Sequence, residues 1–302
     1  MTPASPWTTG PGWLARLVAA AAVVSAACIL SAAVATPDAA PTKAEGEPKA
    51  KRIVMLAGPE SHAKGQHAHA AGLTLLKKAL KAAYGEKVTI DLLTEGWFDD
   101  PNAFEGAAAI VIYSDGWARH ILKPDNLHVL RKAMKPATGL VVMHYALAPP
   151  KEAEEDFLEW IGGYYARNYS KNPINTVETV PASPKHPICR GWKAFTAKDE
   201  YYYRIRFREG DKRLTPIMTA MLPKNKPQRE TLAWAVQREN GGRGFGFTGG
   251  HFHANWSIKP FRTMVLNAIA WTARLDVPEG GVPSEQQDEK RDGSRLPLKP
   301  QE

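Results

Sequence analysis

Between residues 51 and 275 the chain alternates two kinds of hydrophobic pattern. Short runs that are apolar nearly throughout occupy 52–57, 87–93, 108–113 and 139–143. Longer stretches, at 69–83, 124–135, 152–161 and 259–273, place their apolar residues at helical spacing. A strand that is apolar at every position is buried on both faces, so the alternation predicts a parallel sheet covered by helices on each side. Further strands are expected at 174–180, 201–207, 216–219 and 232–237, with one more ending in the glycine turn around Gly249 and Gly250. No internal repeat is visible.

The ends of the chain read differently. Arg16 precedes an apolar segment, 17–35, that closes in Ala33-Val34-Ala35, a small-x-small cleavage pattern. Residues 1–35 are therefore expected to be a signal peptide, and the protein to be exported to a periplasmic or extracellular location, with no stable membrane insertion after cleavage. Residues 36–50 read as a flexible linker, 51–275 as one domain, and 276–302 as a disordered polar tail. Removal of Cys28 with the signal segment leaves Cys189 alone, so stability is expected from a core and not from a disulfide. The net charge of +8 comes from scattered lysines and arginines, not from a stripe interleaved with aromatics, which argues against a nucleic-acid partner.

In open parallel sheets ligands bind beyond the carboxyl ends of the strands. The loops to weigh are then 58–69, 114–120, 144–150 and 249–257. They carry His62, His67, His69, His120, His144, His251 and His253, seven of the nine histidines. His144 follows the apolar run 139–143 directly, where α/β enzymes hold a nucleophile on a tight turn. His251 and His253, if extended, point to one side, with Asn255 and Trp256 as a polar tip beside an aromatic platform suited to a sugar. Asp115 and Trp117 end a neighbouring strand. Asp199 and Glu200 precede Tyr201, Tyr202 and Tyr203; alternation sends Glu200 and Tyr202 to one face and the other three to the opposite face. A carboxylate buried among tyrosines is a candidate general acid. His69 is expected on a helix surface. No Gly-x-Gly-x-x-Gly follows the first strand, which argues against a dinucleotide cofactor.

With these stretches assembled, the chain resembles the ThuA-like (trehalose utilisation) family of the class I glutamine amidotransferase-like superfamily. The resemblance rests on Ser61-His62 with Gly65 and His67, on Tyr113-Ser114-Asp115-Gly116, on the run ending in His144-Tyr145-Ala146, on Trp160-Ile161-Gly162-Gly163-Tyr164, on Asp199-Glu200 and on Gly249-Gly250-His251-Phe252-His253. It implies a flavodoxin-like three-layer sandwich with a mainly parallel central sheet. It also implies a link to disaccharide, glycoside or keto-sugar metabolism. The amidotransferases place a cysteine at the elbow, then a histidine, then a glutamate two residues on; here those positions hold His144, His251 and His253, so glutamine hydrolysis through a thioester is not expected.

The reading that follows is a carbohydrate-acting protein. His144, Glu200, His251 and His253 are the catalytic candidates, and Asp115, Trp117, Tyr145, Tyr202, Asn255 and Trp256 the substrate-binding ones. His62, His67, His144, His251 and His253 are candidate ligands for a divalent metal, zinc or manganese. The alternative is a sugar-binding or scaffolding protein without catalysis. Neither the substrate nor the oligomeric state, a homo-oligomer included, follows from the sequence.

Overall fold

The computed structural model describes residues 49–284. The expected signal peptide, and all but the end of the expected linker, lie outside them. In chain order the elements are β1 (Lys51–Ala57), α1 (His69–Tyr84), β2 (Val88–Leu93), β3 (Ala107–Tyr113), α2 (Pro124–Met134), β4 (Gly139–Met143), α3 (Glu154–Trp160), β5 (Gly163–Tyr164), β6 (Asn175–Pro181), β7 (Phe195–Asp199), β8 (Arg206–Phe207), β9 (Leu214–Leu222), β10 (Gln228–Gln237), β11 (Arg243–Phe247) and α4 (Lys259–Thr272). Among the described residues no helix is long and apolar enough to cross a membrane.

Nine strands form one sheet in the order β2-β1-β3-β4-β11-β10-β9-β6-β7. The first five are parallel to one another and follow the 2-1-3-4-5 order of a flavodoxin-like fold, with β11 in the fifth place. The other four continue the sheet in antiparallel fashion. Alternation along the parallel strands builds a core on each face. Ile53, Met55, Val111, Val141 and Met143 meet Leu73 and Leu76 of α1 and Phe261, Met264 and Val265 of α4. Val54, Leu56, Ile110, Ile112, Leu140 and Val142 meet Leu127 and Leu130 of α2 and Phe157 and Trp160 of α3. These side chains are all nearly or wholly excluded from water, which is why their strands are apolar at successive positions.

Two expectations are corrected. Residues 201–207 do not form one strand: β7 ends at Asp199, just before the tyrosines, Tyr203 makes an isolated bridge with Lys171, and Arg206–Phe207 pairs with β5. The polar tail does not begin at 276, because Val277, Val282 and Ser284 are buried. Arg190 donates to the Val277 carbonyl, Arg262 to the Ser284 carbonyl, and the Val282 N–H donates to Asn267. Apolar content there is low, but hydrogen bonds from Arg190, Arg262 and Asn267 hold the segment against the domain.

Gly244 lies where β11 passes under the end of α3. A Cβ at this position would stand 2.2 Å from the Trp160 carbonyl oxygen, whereas one at Gly280 would meet nothing within 4 Å. Gly244→Ala is therefore expected to cost about 1–3 kcal/mol through overpacking, and Gly280→Ala less than about 0.5 kcal/mol. Urea unfolding midpoints of the two variants against the parent check this.

Candidate functional site

The carboxyl ends of β1, β3, β4 and β11 meet at one edge of the sheet, and their loops assemble the site. His144 is the first residue after β4 and opens a short 3-10 turn, His144–Leu147, with φ of +53°. A non-glycine residue in the left-handed region at this point makes the elbow a real one. The loop after β1 is zipped to the loop after β11 by a two-residue bridge: the His67 N–H donates to the His251 carbonyl and the His253 N–H to the Gly65 carbonyl. The pairing sets His67 and His251 opposite each other, and the two imidazoles meet.

Three imidazoles and one carboxylate converge. His67 Nε2 stands 3.0 Å from His251 Nδ1 and 3.1 Å from His144 Nε2. Glu200 Oε2 lies 3.6 Å from His144 Nε2 and 3.4 Å from His251 Nδ1. The other oxygen, Glu200 Oε1, accepts from Asn172 Nδ2 at 3.0 Å. His67, His144 and His251 are buried, and Glu200 is largely so. This His/Glu group can hold a metal ion, and a smaller set made by His62, His67 and Asp115 adjoins it.

The outer partners decide which ring nitrogens carry hydrogen. His67 Nδ1 lies 2.8 Å from Asp115 Oδ1 and His144 Nδ1 lies 2.9 Å from the Thr248 carbonyl. Both acceptors favour an N–H on Nδ1, which turns each Nε2 inward: that of His67 faces His251 Nδ1 and His144 Nε2, and that of His144 also lies 3.4 Å from the Tyr202 hydroxyl. Burial, reinforced by His67, pushes the His144 pKa well below its ordinary value. A cation could be held between these nitrogens and Glu200. Two ligand atoms on bonds of about 2.0–2.1 Å to one ion lie about 3.3 Å apart in a tetrahedral site; the four edges around the ring His251–His67–His144–Glu200 scatter around that value, and all four atoms lie within 4.8 Å of one another.

Asp115 positions this group. It accepts from His67, from Ser61 Oγ at 2.7 Å and from Arg119 at 3.1 Å, and it is 4% exposed. Asp199 has no polar face to water at all: its oxygens accept from the N–H groups of Glu200, Gly250 and His251 at 2.8–3.0 Å. Burial raises its pKa and these N–H groups oppose the rise. The carboxylate with the raised pKa is thus Asp199, a backbone clamp, while Glu200 turns toward the imidazoles.

The remaining candidates divide. Tyr145, Trp117 and Tyr202 line a cavity of about 280 Å³ beside the His/Glu group, together with His62, Tyr165 and Asn172. Tyr202 is stacked on His144 with ring centroids 4.8 Å apart. His253 stands in neither ligand group. The chain enters a 3-10 turn, His253–Ser257, so the extended geometry that would align it with His251 ends there. Trp256 is 1% exposed and packs on Tyr113 and Phe261, so it is core and no stacking platform. Asn255 donates to the Lys198 carbonyl and ties the turn to β7. His69 is fully buried, not on a helix surface; it bonds the Pro59 carbonyl, and burial lowers its pKa to about 4. His120 is likewise internal, accepting from the Leu122 N–H and donating to the Ala146 carbonyl. The sequence reading missed Tyr165, Asn172 and the clamp role of Asp199; Trp160-Ile161-Gly162-Gly163-Tyr164, next to Tyr165, is the signal that pointed nearby.

Burial pushes the Asp115 carboxyl up, but the hydrogen bonds from His67 and Ser61 more than offset it and hold the pKa at about 2. A depressed folded-state pKa contributes stability above the unfolded value of 3.8 that is lost as pH falls toward 2. In metal-free protein this contribution is about 2 kcal/mol. Asp115→Asn is expected to be less stable at pH 6, with the gap to the parent closing as pH falls from 4 to 2. Urea titrations across that range measure it.

Comparison with known proteins places this architecture. The structure of a ThuA-like protein from Bacteroides uniformis superposes with a TM-score of 0.57 at 16% identity, over 79% of this chain and 97% of that one. One from Parabacteroides merdae gives 0.54 at 18%, over 74% and 90%. A glutamine amidotransferase from Thermotoga maritima gives 0.39 at 10%, over 74% and 96%. No curated protein matches the sequence. Residues 56–272 match the family model described as ThuA, trehalose utilisation. That span holds His67, His144, Glu200 and His251 together with nearly the whole sheet that carries them, and the chain belongs to the ThuA family.

Proposed function

We propose that this protein is a metal-dependent enzyme acting on a sugar derivative, a glycoside or a keto-sugar, and that His67, His144, His251 and Glu200 hold a divalent ion. The observation that carries the reading is the buried convergence of these four side chains, whose ligand atoms all lie within 4.8 Å of one another. Three imidazoles and one carboxylate suit zinc, with manganese the next choice. When bound, such an ion polarises a carbonyl oxygen or lowers the pKa of water.

The chain's own residues supply the rest. The cavity of about 280 Å³ is at the small end of ligand sites and suits one sugar ring. Trp117 offers that ring an aromatic wall. Burial raises the pKa values of Tyr145, Tyr165 and Tyr202, so all three keep their phenolic protons; Tyr165 donates to Asn172 Oδ1, the Tyr202 hydroxyl faces His144 Nε2, and the Tyr145 hydroxyl is the one offered to a sugar oxygen. Asn172 holds Glu200 Oε1 and so leaves Oε2 to the imidazoles. His62 lines the same cavity with its ring centroid 3.8 Å from that of His67. Burial, then His67, lowers its pKa, so it is neutral at pH 7 and able to accept a proton from a sugar hydroxyl.

An amidotransferase route is closed, because the elbow carries an imidazole and no thiol. Cys189 does not replace it: that thiol is buried against the Ile217 carbonyl, and burial raises its pKa to about 11. The family's description as trehalose utilisation supports a sugar substrate. The apolar segment 17–35 with its cleavage pattern supports export.

Purified protein is expected to retain close to one divalent ion per chain, and cobalt substitution to give the intense visible absorption of a four-coordinate site. His144→Ala and Glu200→Gln should lose the ion, and Asn172→Ala, which frees Glu200 from its holder, should weaken metal affinity about 10–100-fold. Turnover of glycosides and 3-keto-glycosides should disappear with chelator and return with zinc or manganese. Stoichiometric metal with sugar binding but no product across that panel would instead assign a sugar-binding protein.

A further inference from the structure

A second hollow of about 480 Å³ adjoins the cavity described above, and Trp117 lines both. Its floor is apolar, made by Leu122, Pro149 and Pro150, and its other walls bring Lys123, Lys151 and Arg167 together against a single carboxylate, Glu154. That carboxylate already accepts from Tyr164. Lys123 Nζ donates to the Ala118 carbonyl. Among the described ion pairs, none of the three cations is matched with an acid. The Arg167 guanidinium stands 4.5 Å over the Trp117 ring.

The partition between the hollows is held rigidly. Trp117 takes φ of +50°, a left-handed conformation in a bulky residue, and its N–H donates to the Ala148 carbonyl at 2.7 Å. Behind it, a Cβ on Gly116 would stand 2.4 Å from the Tyr145 carbonyl oxygen, so the turn is pressed against the elbow. The indole packs edge-on with Tyr145 and Tyr165 on the first side. A strained aromatic residue fixed between two hollows, and topped by an unpaired guanidinium, is the arrangement expected of a wall that orients a ligand.

We propose that the second hollow is a subsite for the part of the substrate beyond the reacting ring, and that this part carries an anionic group, a carboxylate or a phosphate. The inference rests on the reading of the first cavity as the sugar site. A floor of proline and leucine accepts the apolar face of a second ring, and the three cations compensate one negative substituent on it. Arg167 supplies a planar fork of donors and is held in place by the indole, so the anion meets a pre-organised partner.

The test is calorimetric titration of the metal-loaded protein with glucose, trehalose, trehalose 6-phosphate and a glucuronyl-glucose disaccharide. At least one anionic disaccharide is expected to bind about tenfold or more tightly than trehalose; which of the two wins tells phosphate from carboxylate. The preference should vanish in the double variant Lys151→Gln, Arg167→Gln, whose metal content stays that of the parent. Equal affinity for neutral and anionic disaccharides, a preference that survives in the double variant, or no binding of any disaccharide would overturn the subsite. Glucose binding with none of that preference leaves the first cavity standing, whereas loss of both glucose and metal binding removes the underlying reading.

Discussion

Asp199 is a carboxylate buried from solvent and, among the described residues, in no ion pair; the N–H groups of Glu200, Gly250 and His251 satisfy it. It stands at the end of β7, the edge strand of the antiparallel half, and it grips the loop that leaves β11 in the parallel half. One side chain thereby fixes two elements of the His/Glu group, the backbone of His251 and that of Glu200 next to it. A buried anion is tolerable only when its acceptors are filled. The loop must consequently keep the one path that presents both N–H groups, and imidazole placement follows from that.

The sheet explains why the group forms at this edge and nowhere else. Parallel strands buried on both faces leave no room for polar side chains along their length, so the first polar residues emerge at their carboxyl ends. There the chain must turn, and the residues that turn it are His144, Ser114, Asp115 and the segment around Gly249 and Gly250. Four loops converge on one area because β1, β3, β4 and β11 are contiguous in the sheet. The same edge is the one at which α/β folds in general bind ligands, and here the antiparallel extension adds Glu200 and Tyr202 from the side.

Much of this was legible in the sequence. The apolar runs 52–57, 108–113 and 139–143 give β1, β3 and β4 within a residue, since continuous burial leaves an unbroken hydrophobic signature. His144 was readable as an elbow because it directly follows such a run, at the point where a buried strand must turn. Alternation also separated Glu200 and Tyr202 from Asp199 and Tyr201, and it holds although the segment is irregular. What failed depends on contacts between distant segments. The bridge from Gln66 to Phe252 selects His251 and leaves His253 aside, and nothing local in His251-Phe252-His253 announces where extension stops. Trp256 reads as a sugar platform until Phe261 and Tyr113 are seen to enclose it. Asp199 as a clamp was invisible because its three partners are backbone groups, which carry no sequence identity.

Among the described residues, four of the seven non-glycine residues with left-handed backbone, His62, His67, Trp117 and His144, lie at this site. Each pays a steric penalty of order 1 kcal/mol that glycine would not. Glycine would relieve that strain but would empty the space each ring fills, and at His67 and His144 it would leave Asp115 and the Thr248 carbonyl without their buried donors. Backbone and side chain at these positions are therefore tied together, and variation that keeps the left-handed turn while losing the ring gives up more than it gains.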